Sequence, residues 1–154
     1  MANYAIAQET NQQNMGATAK TLISVFAGAT ARRGKVYEFM VGTNGSPPAD
    51  NELEIDTARM TADGTGTSFT PNPLDPADAA CAATSKIGYT AEPTVTASSF
   101  LVYFGMNQRA TVRWLAAPGS ELVYPATANN GIVLRAKSAA YASTMSANML
   151  FAEQ

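Results

Sequence analysis

Residues 99–118 read SFLVYFGMNQRATVRWLAAP, and their pattern decides the fold class. Apolar and aromatic residues recur here with the period of two that is typical of β-strands, rather than with a helical period of 3.6. We interpret 99–107 and 108–118 as the two arms of a β-hairpin. The faces expected for the first arm are Phe100, Val102 and Phe104 on one side, and Leu101 and Tyr103 on the other.

Similar short segments lie on both sides of this stretch, separated by turn-forming residues. Examples are KVYEFMVG at 35–42 and GIVLRAK at 131–137. Turn signals recur about every 8 to 12 residues, a spacing that is typical of sandwiches and barrels. The sequence therefore predicts an all-β sandwich or barrel of about eight strands.

The segment ELEIDTARMT at 52–61 changes its pattern part-way. Leu53 and Ile55 place the apolar residues on one face, whereas Ala58 and Met60 have the opposite parity. Such a change within a strand indicates a β-bulge. The other interpretation is two short strands with a corner between them.

The first 16 residues differ from the rest of the chain. They are polar, rich in Gln and Asn, and without useful periodicity. We interpret residues 1–16 as an extended N-terminal arm that is ordered only by contact with another molecule. The chain of 154 residues has the length of one domain, so 17–154 is predicted to be a single β-sandwich domain.

The composition excludes several classes of protein. The formal net charge is −2 and only 14% of residues are charged, so the basic patch of a nucleic-acid-binding protein is absent. No apolar run approaches the roughly 20 residues that span a membrane, and the first residues do not resemble a secretory signal. The single cysteine, Cys81, rules out an internal disulfide framework and is interpreted as a small, partly buried residue. We therefore expect synthesis inside a cell.

The chain contains no histidine. The usual general base and the commonest metal ligand are therefore absent, and we expect no enzymatic activity, metal or cofactor. The only tempting cluster consists of acids, which can act in pairs as general acid and base or bind calcium. Because these acids alternate with apolar residues, we interpret them as the solvated face of a half-buried strand. The acids are Glu52, Glu54 and Asp56, with Asp63 in the following turn.

A long connection, PNPLDPADAACAATSKIG at 71–88, carries the signature of a helix start. Asp75 is suited to the N-cap, Pro76 to the first helical position and Asp78 to the third. One short helix of one or two turns is therefore predicted in this loop. Long loops in compact domains are often functional, so Leu74, Asp75 and Asp78 are candidate interface residues.

The number of aromatic residues on the predicted strands exceeds what one small core needs. Such an excess indicates a second buried surface, which is most often a subunit interface. A carbohydrate-binding aromatic platform is the competing interpretation. The residues are Tyr37, Phe39, Phe100, Tyr103, Phe104 and Trp114.

Several stretches in order along the chain resemble a group of small tailed-bacteriophage proteins that are encoded with head genes. These stretches are KVYEFMVG, PADN, PNPLDPADAA, TAEPTVTA and NQRATVRWLAAPGSELVYPATANNGI. The resemblance covers roughly residues 21–151, and its most specific part is 107–132. The group is similar to capsid decoration, or cement, proteins built on a jelly-roll-like β-sandwich.

This resemblance implies a viral structural protein on the outer capsid surface, made in the bacterial host cytoplasm. It implies a homotrimer that binds the major capsid protein, stabilises the head, and requires no nucleic acid, membrane or cofactor. In that role the N-terminal arm would dock on the capsid. The candidate contact residues of the arm are Tyr4, Ile6, Gln8, Gln12 and Gln13.

Two other functions stay open at this point. One is a carbohydrate- or host-surface-binding sandwich displayed on the virion, which predicts glycan binding through an exposed aromatic residue. The other is a minor head, neck or tail component with the same fold. An enzyme acting through Glu52, Glu54 and Asp56 is not expected, because catalytic acids need burial or close pairing to adjust their pKa.

Overall fold

In the computed structural model of the protein, which describes residues 1–45, 47 and 49–154, the alternating segments form twelve β-strands. No helix occurs in this described part of the chain. The strands are β1 (Ala2–Ala7), β2 (Lys20–Phe26), β3 (Gly34–Thr43), β4 (Glu52–Ala62), β5 (Thr65–Phe69), β6 (Asn72–Pro73), β7 (Thr84–Ala91), β8 (Thr94–Asn107), β9 (Thr111–Leu115), β10 (Leu122–Tyr124), β11 (Gly131–Lys137) and β12 (Met145–Glu153).

The strands form two antiparallel sheets of six strands each. The first sheet has the order β10-β3-β12-β1-β6, and β9 pairs with β3 on the same side as β10. The second sheet has the order β5-β7-β2-β11-β4-β8. Both sheets end in edge strands, so the predicted sandwich is confirmed and the barrel is not. The prediction of about eight strands is too low, because β1 was assigned to the arm and β5 and β6 are too short to show a clear period.

The core lies between the two sheets. Its buried side chains from both sheets form one cluster. Fully burying one Leu, Ile or Phe stabilises the fold by about 1.5–3 kcal/mol relative to exposure. Fully buried core residues from the first sheet are Tyr4, Ile6, Val36, Phe39, Met149 and Phe151, and those from the second are Ile23, Val25, Leu53, Ile55, Ile132 and Leu134.

The predicted N-terminal arm is wrong for residues 2–7, which form β1 inside the first sheet. β1 pairs with β12 along its whole length, from Ala2 opposite Glu153 to Ala7 opposite Asn148, and with β6 on its other side. Tyr4 and Ile6 are buried in the core. The arm was expected because the outward residues between them are small or polar, which obscures the alternation.

The predicted hairpin over 99–118 is also wrong. Its two arms are strands, but β8 pairs with β4 in the second sheet and β9 pairs with β3 in the first. The turn after Asn107 moves the chain from one sheet to the other, with the N–H of Ala110 donating to Asn107 O at 2.9 Å. Alternation predicts which residues face inward but does not identify the partner strand.

Ring stacking around Phe39 brings β8 and β9, which belong to different sheets, into contact with the same core. The Phe39 ring stacks on Trp114 of the same sheet, with centroids 5.1 Å apart, and on Phe104 of the opposite sheet at 6.4 Å. The inward face of β8 therefore carries Phe104. Phe100, which was expected on the same face as Phe104, points outward, because the register of β8 against β4 shifts near Leu101.

The change of pattern within 52–61 corresponds to an irregularity in pairing, as predicted. β4 stays one strand and pairs with β11 without any shift, from Glu54 opposite Lys137 to Met60 opposite Gly131. The register shifts occur against β8, and most of the extra residues belong to β8. Ala58 and Met60 thus mark a part of β4 whose outward face is also buried, against Val133 and Phe26.

The short helix predicted after Asp75 is absent from the loop. Asp75 Oδ1 accepts a hydrogen bond from the N–H of Ala77 at 2.9 Å, and Asp75 O accepts one from the N–H of Asp78 at 3.0 Å. This single turn does not propagate, since a first helical turn restricts several residues for one hydrogen bond. The backbone beyond it binds the carboxylate of Glu153 instead.

Candidate functional site

The glutamines proposed as capsid contacts lie against other parts of the protein. Gln8 is buried, its side-chain amide has no hydrogen-bond partner among the described residues, and its backbone O accepts a hydrogen bond from Gln12 Nε2 at 3.3 Å. Gln13 Nε2 donates to the backbone O of Tyr89, and Asn44 Nδ2 donates to Gln12 Oε1. Together with Tyr4 and Ile6 in the core, these contacts leave the proposed arm without free anchor residues.

A buried carboxylate holds the loop between β6 and β7. Glu153 Oε1 accepts a hydrogen bond from the N–H of Ala83 at 2.7 Å, and Glu153 Oε2 accepts one from the N–H of Ala82 at 3.1 Å. Arg32 lies 3.8 Å from the same carboxylate. Hydrogen bonds to a charged group are stronger than neutral ones, so Glu153 ties the last strand to the loop.

Two titratable groups near Glu153, the Cys81 thiol and the Tyr124 hydroxyl, are held in their neutral forms. Burial, followed by the charge of Glu153, raises the pKa of the Cys81 thiol to about 12, so the thiol stays protonated and unreactive at neutral pH. The hydroxyl of Tyr124 is buried without a hydrogen-bond partner, and burial raises its pKa as well. Cys81 is partly buried, as the sequence predicts.

A second polar network lies on the outer side of β2 and β7. The hydroxyls of Ser24 and Tyr89 are 2.6 Å apart, Tyr89 donates to Asp63 Oδ1 at 3.3 Å, and Lys86 forms an ion pair with Asp63. Ser24 is fully buried, so no substrate reaches its hydroxyl. The network satisfies polar groups between strands.

Asp56 and Glu54 of β4 form ion pairs with basic side chains of β11 rather than pairing with each other. Asp56 Oδ1 accepts a hydrogen bond from Arg135 Nε at 2.8 Å, and Glu54 Oε2 lies 2.9 Å from Lys137 Nζ. Hydrogen bonds from Tyr103 and then Lys137 lower the pKa of Glu54. A lowered pKa is opposite to what a general acid needs.

The interpretation of these acids as a solvated face is only partly correct. Glu52 is exposed and Glu54 is half-buried, but Asp56 is buried. Asp56 tolerates burial because Arg135 compensates its charge. Asp63 lies apart from them and pairs with Lys86 on β7.

The outer face of the first sheet combines exposed apolar side chains with few charges over three neighbouring rows. Met40 and Leu115 are 43% and 58% exposed. Glu38 and Arg113 are the two charged residues of these described rows, and they bind each other through hydrogen bonds of 2.6 and 2.8 Å. We name this surface the first-sheet patch. Its rows are Thr111, Gly42 and Ser146; Arg113, Met40, Asn148 and Ala7; and Leu115, Glu38, Leu150 and Ala5.

The outer face of the second sheet is different in character. Phe100 and Tyr103 on β8 are 54% and 59% exposed. Arg135 lies over the ring of Phe100, 5.6 Å from its centroid, and the Tyr103 hydroxyl donates to Glu54. This surface therefore combines aromatic rings with charged groups.

Known proteins give no further guide to the role of these surfaces. Comparison of the chain with protein families, curated proteins and solved structures finds no match. Within the described residues, no group of three or more His, Cys, Asp or Glu is placed to hold a metal ion. No helix there has the length and apolar character needed to cross a membrane.

Sequence reasoning missed the first-sheet patch. Met40 and Leu115 sit at outward positions of strands whose inward positions are also apolar, Phe39 and Trp114. That two-sided pattern is typical of a strand covered on both faces. Apolar residues on both faces of these strands were therefore visible in the sequence. They did not show that the outer face, with Met40 and Leu115, is left uncovered by the rest of the described chain. The candidate loop residues Leu74 and Asp75 are exposed and Asp78 is half-buried, and their interface role stays a prediction.

Proposed function

We propose that the protein is a capsid cement protein of a tailed bacteriophage, which binds as a homotrimer across neighbouring major capsid subunits on the outer head surface. The jelly-roll-like subclass of the sandwich and synthesis in the bacterial cytoplasm belong to the same proposal. Two independent features support it: the resemblance of the quoted stretches, and the surface of the first sheet.

The observation that carries the proposal is the first-sheet patch. Contiguous exposed apolar surface on a soluble protein marks an interaction site, and the centres of protein interfaces are depleted in charged residues. Met40 and Leu115 supply the apolar area, and burying each stabilises an interface by up to about 1.5–3 kcal/mol. The Glu38–Arg113 pair is already neutralised within the chain, so a partner need not supply a matching charge.

The loop after β6 is the second contact surface in this proposal. Leu74 is exposed at the opposite edge of the first sheet from Leu115. Asp75 and Asp78 shape the turn next to it, and the hydrogen bonds to Glu153 hold the loop on the body. The patch would then bind a second copy and the loop the capsid, replacing the arm as the docking element.

Cementing follows from mass action. A protein that binds the assembled lattice better than free capsid subunits stabilises the lattice by an amount that grows with its concentration and affinity. A rigid sandwich with two separated contact surfaces can link neighbouring subunits, and this role needs no catalytic group.

The proposal is tested with phage heads that lack the protein. Purified protein is added back, and the temperature of genome release and the number of bound copies per major capsid subunit are measured. We expect binding at a ratio that matches the lattice and a higher release temperature. Heads that release the genome at the same temperature with and without bound protein would contradict the cement role.

Two variants show whether the loop makes the capsid contact. Leu74→Asp should weaken binding to heads, because it places a charge in the contact. Thr127→Asp changes an equally exposed turn outside both surfaces and should bind like the wild type. Binding of only a few copies per head would instead favour the minor head, neck or tail component.

A further inference from the structure

Four parallel rows of residues cross the outer face of the second sheet near its β8 edge. The rows are set by the register of β8, β4 and β11. Opposite residues in these rows are Phe100 and Ala58; Tyr103, Asp56 and Arg135; Gly105, Glu54 and Lys137; and Asn107 and Glu52.

The two aromatic rings on this face are exposed but held in place. Arg135 contacts the Phe100 ring and is itself bound by Asp56. The Tyr103 hydroxyl donates to Glu54, which also pairs with Lys137. Because the rings are ordered by the protein, a ligand that stacks on them does not have to immobilise them.

A depression continues from the rings along β8. Gly105 has no side chain between Tyr103 and Asn107, and a Cβ placed there would be 3.6 Å from Glu52 Oε1 with room around it. A groove of about 380 Å³ is lined by Asp50, Glu52, Gly105, Met106 and Asn107. A second groove of about 200 Å³ on the other side of Glu52 is lined by Glu54, Lys137 and Ser138, among others.

The length of the surface suits an extended ligand. Phe100 and Tyr103 lie opposite residues of β4 that are two positions apart, which corresponds to about 7 Å along a strand. Gly105 and Asn107 each add two more positions. The ligand surface is therefore a strip with aromatic rings at one end and a carboxylate and an amide at the other.

The chemistry of the strip favours a neutral polyhydroxylated ligand. A protein partner would cover five charged side chains in these rows, whereas the first-sheet patch has two, and interface centres are depleted in charged residues because desolvation is costly. An anionic polymer would be repelled by the Glu52 carboxylate. The basic residues of these rows, Arg135 and Lys137, are already paired with Asp56 and Glu54. A sugar can place its apolar face on an aromatic ring while its hydroxyls replace water at carboxylates and amides.

We propose that the strip from Phe100 to Asn107 binds a neutral oligosaccharide. Phe100 and Tyr103 provide the stacking surface, Glu52 accepts hydrogen bonds from hydroxyl groups, and Asn107 Nδ2 donates to them. This binding activity goes beyond the capsid role and does not depend on it. It would let a particle that displays the protein adhere to a glycan surface.

The test measures oligosaccharide binding by isothermal titration calorimetry and by NMR shift mapping. The probes are the neutral hexasaccharides of cellulose, amylose, mannan and chitin, with hyaluronan hexasaccharide as the anionic comparison. We expect at least one neutral probe to bind and to shift the amides of β8 and β4. The absence of saturable binding of every neutral probe at about 5 mM, or binding of hyaluronan alone, would overturn the proposal.

Matched variants locate the site. Tyr103→Ala and Phe100→Ala should each weaken binding by about tenfold, and Tyr103→Phe, which keeps the ring, should retain most of it. Thr127→Ala changes an exposed side chain in the turn before β11, outside both surfaces, and should leave binding unchanged. Glu52→Gln tests the polar end without touching a ring. Unchanged binding in both aromatic variants, with melting temperatures equal to the wild type, would also overturn the proposal.

Discussion

At the scale of single residues, Glu153 is a buried carboxylate that connects distant parts of the chain. It is the last residue of β12, and it binds the backbone of Ala82 and Ala83 some 70 residues earlier. The same loop is also fixed by the Tyr4 hydroxyl, which donates to Ala79 O at 2.9 Å. The position of the loop therefore depends on β1 and β12 rather than on its own helix signals.

Substituting Glu153→Gln should destabilise the protein. An amide offers one accepting oxygen where the carboxylate offers two, so a buried N–H loses its partner, at a cost of about 1–3 kcal/mol in the free energy of unfolding. Urea denaturation measures this change. Glu9→Gln, at an exposed position, is the control and should cost almost nothing; equal effects of the two variants would refute the role of Glu153.

At the scale of elements, β1 is an integral strand and not an appendage. It lies between β12 and β6, and its inward residues Tyr4 and Ile6 are part of the core. The ring of Tyr4 stacks on Phe151 of β12 with centroids 5.5 Å apart. Without β1, β12 would expose both its hydrogen-bonding edge and the core beneath it.

Ile6→Ala should therefore lower the free energy of unfolding by about 2–5 kcal/mol, because it leaves a cavity in the core. A chain that begins at Gln8 should fail to give a cooperative thermal transition. Asn3→Ala, at an exposed position of the same strand, is the control. A truncated chain that melts like the full chain would show that the segment is an arm after all.

At the scale of the whole molecule, the two outer faces of the sandwich differ. The first-sheet patch is apolar with one internal ion pair, whereas the strip on the second sheet alternates acids, bases and aromatic rings. The first is suited to contact with protein and the second to a hydrated ligand. One sandwich can therefore carry two surfaces of different function without either disturbing the core.

Self-association should depend on the first-sheet patch alone. Introducing Met40→Asp together with Leu115→Asp places unpaired charges where apolar residues would be buried, and should weaken association by at least about 100-fold. Sedimentation velocity should then show a trimer for the wild type and a monomer for the double variant. Phe100→Asp on the opposite face should remain trimeric; a wild-type chain that is monomeric at all concentrations would contradict the trimer.

Much of the fold class could be predicted because alternation is a local property. Leu53 and Ile55 point inward as their spacing predicts, and the irregular pairing beyond them was visible in Ala58 and Met60. The helix predicted at Asp75 does not form. Its capping residues favour a helix start, but the N–H groups of Ala82 and Ala83 donate to the carboxylate of Glu153 on β12 instead. Among the candidate site residues, Tyr4 and Ile6 were wrongly assigned to an extended arm. Their outward neighbours are small or polar, so the sequence of a buried strand resembled that of a polar tail.

The sequence by itself determined that the chain forms β-strands and which side chains of most strands face inward, because a period of two is imposed by the backbone of each strand. Only the tertiary structure decided the partners: β8 joins β4, β9 joins β3, and β1 enters between β12 and β6. Pairing is chosen by burial summed over residues far apart in the chain, which no local pattern encodes. The same long-range choice leaves Met40 and Leu115 on one outer face, and Phe100 and Tyr103 on the other.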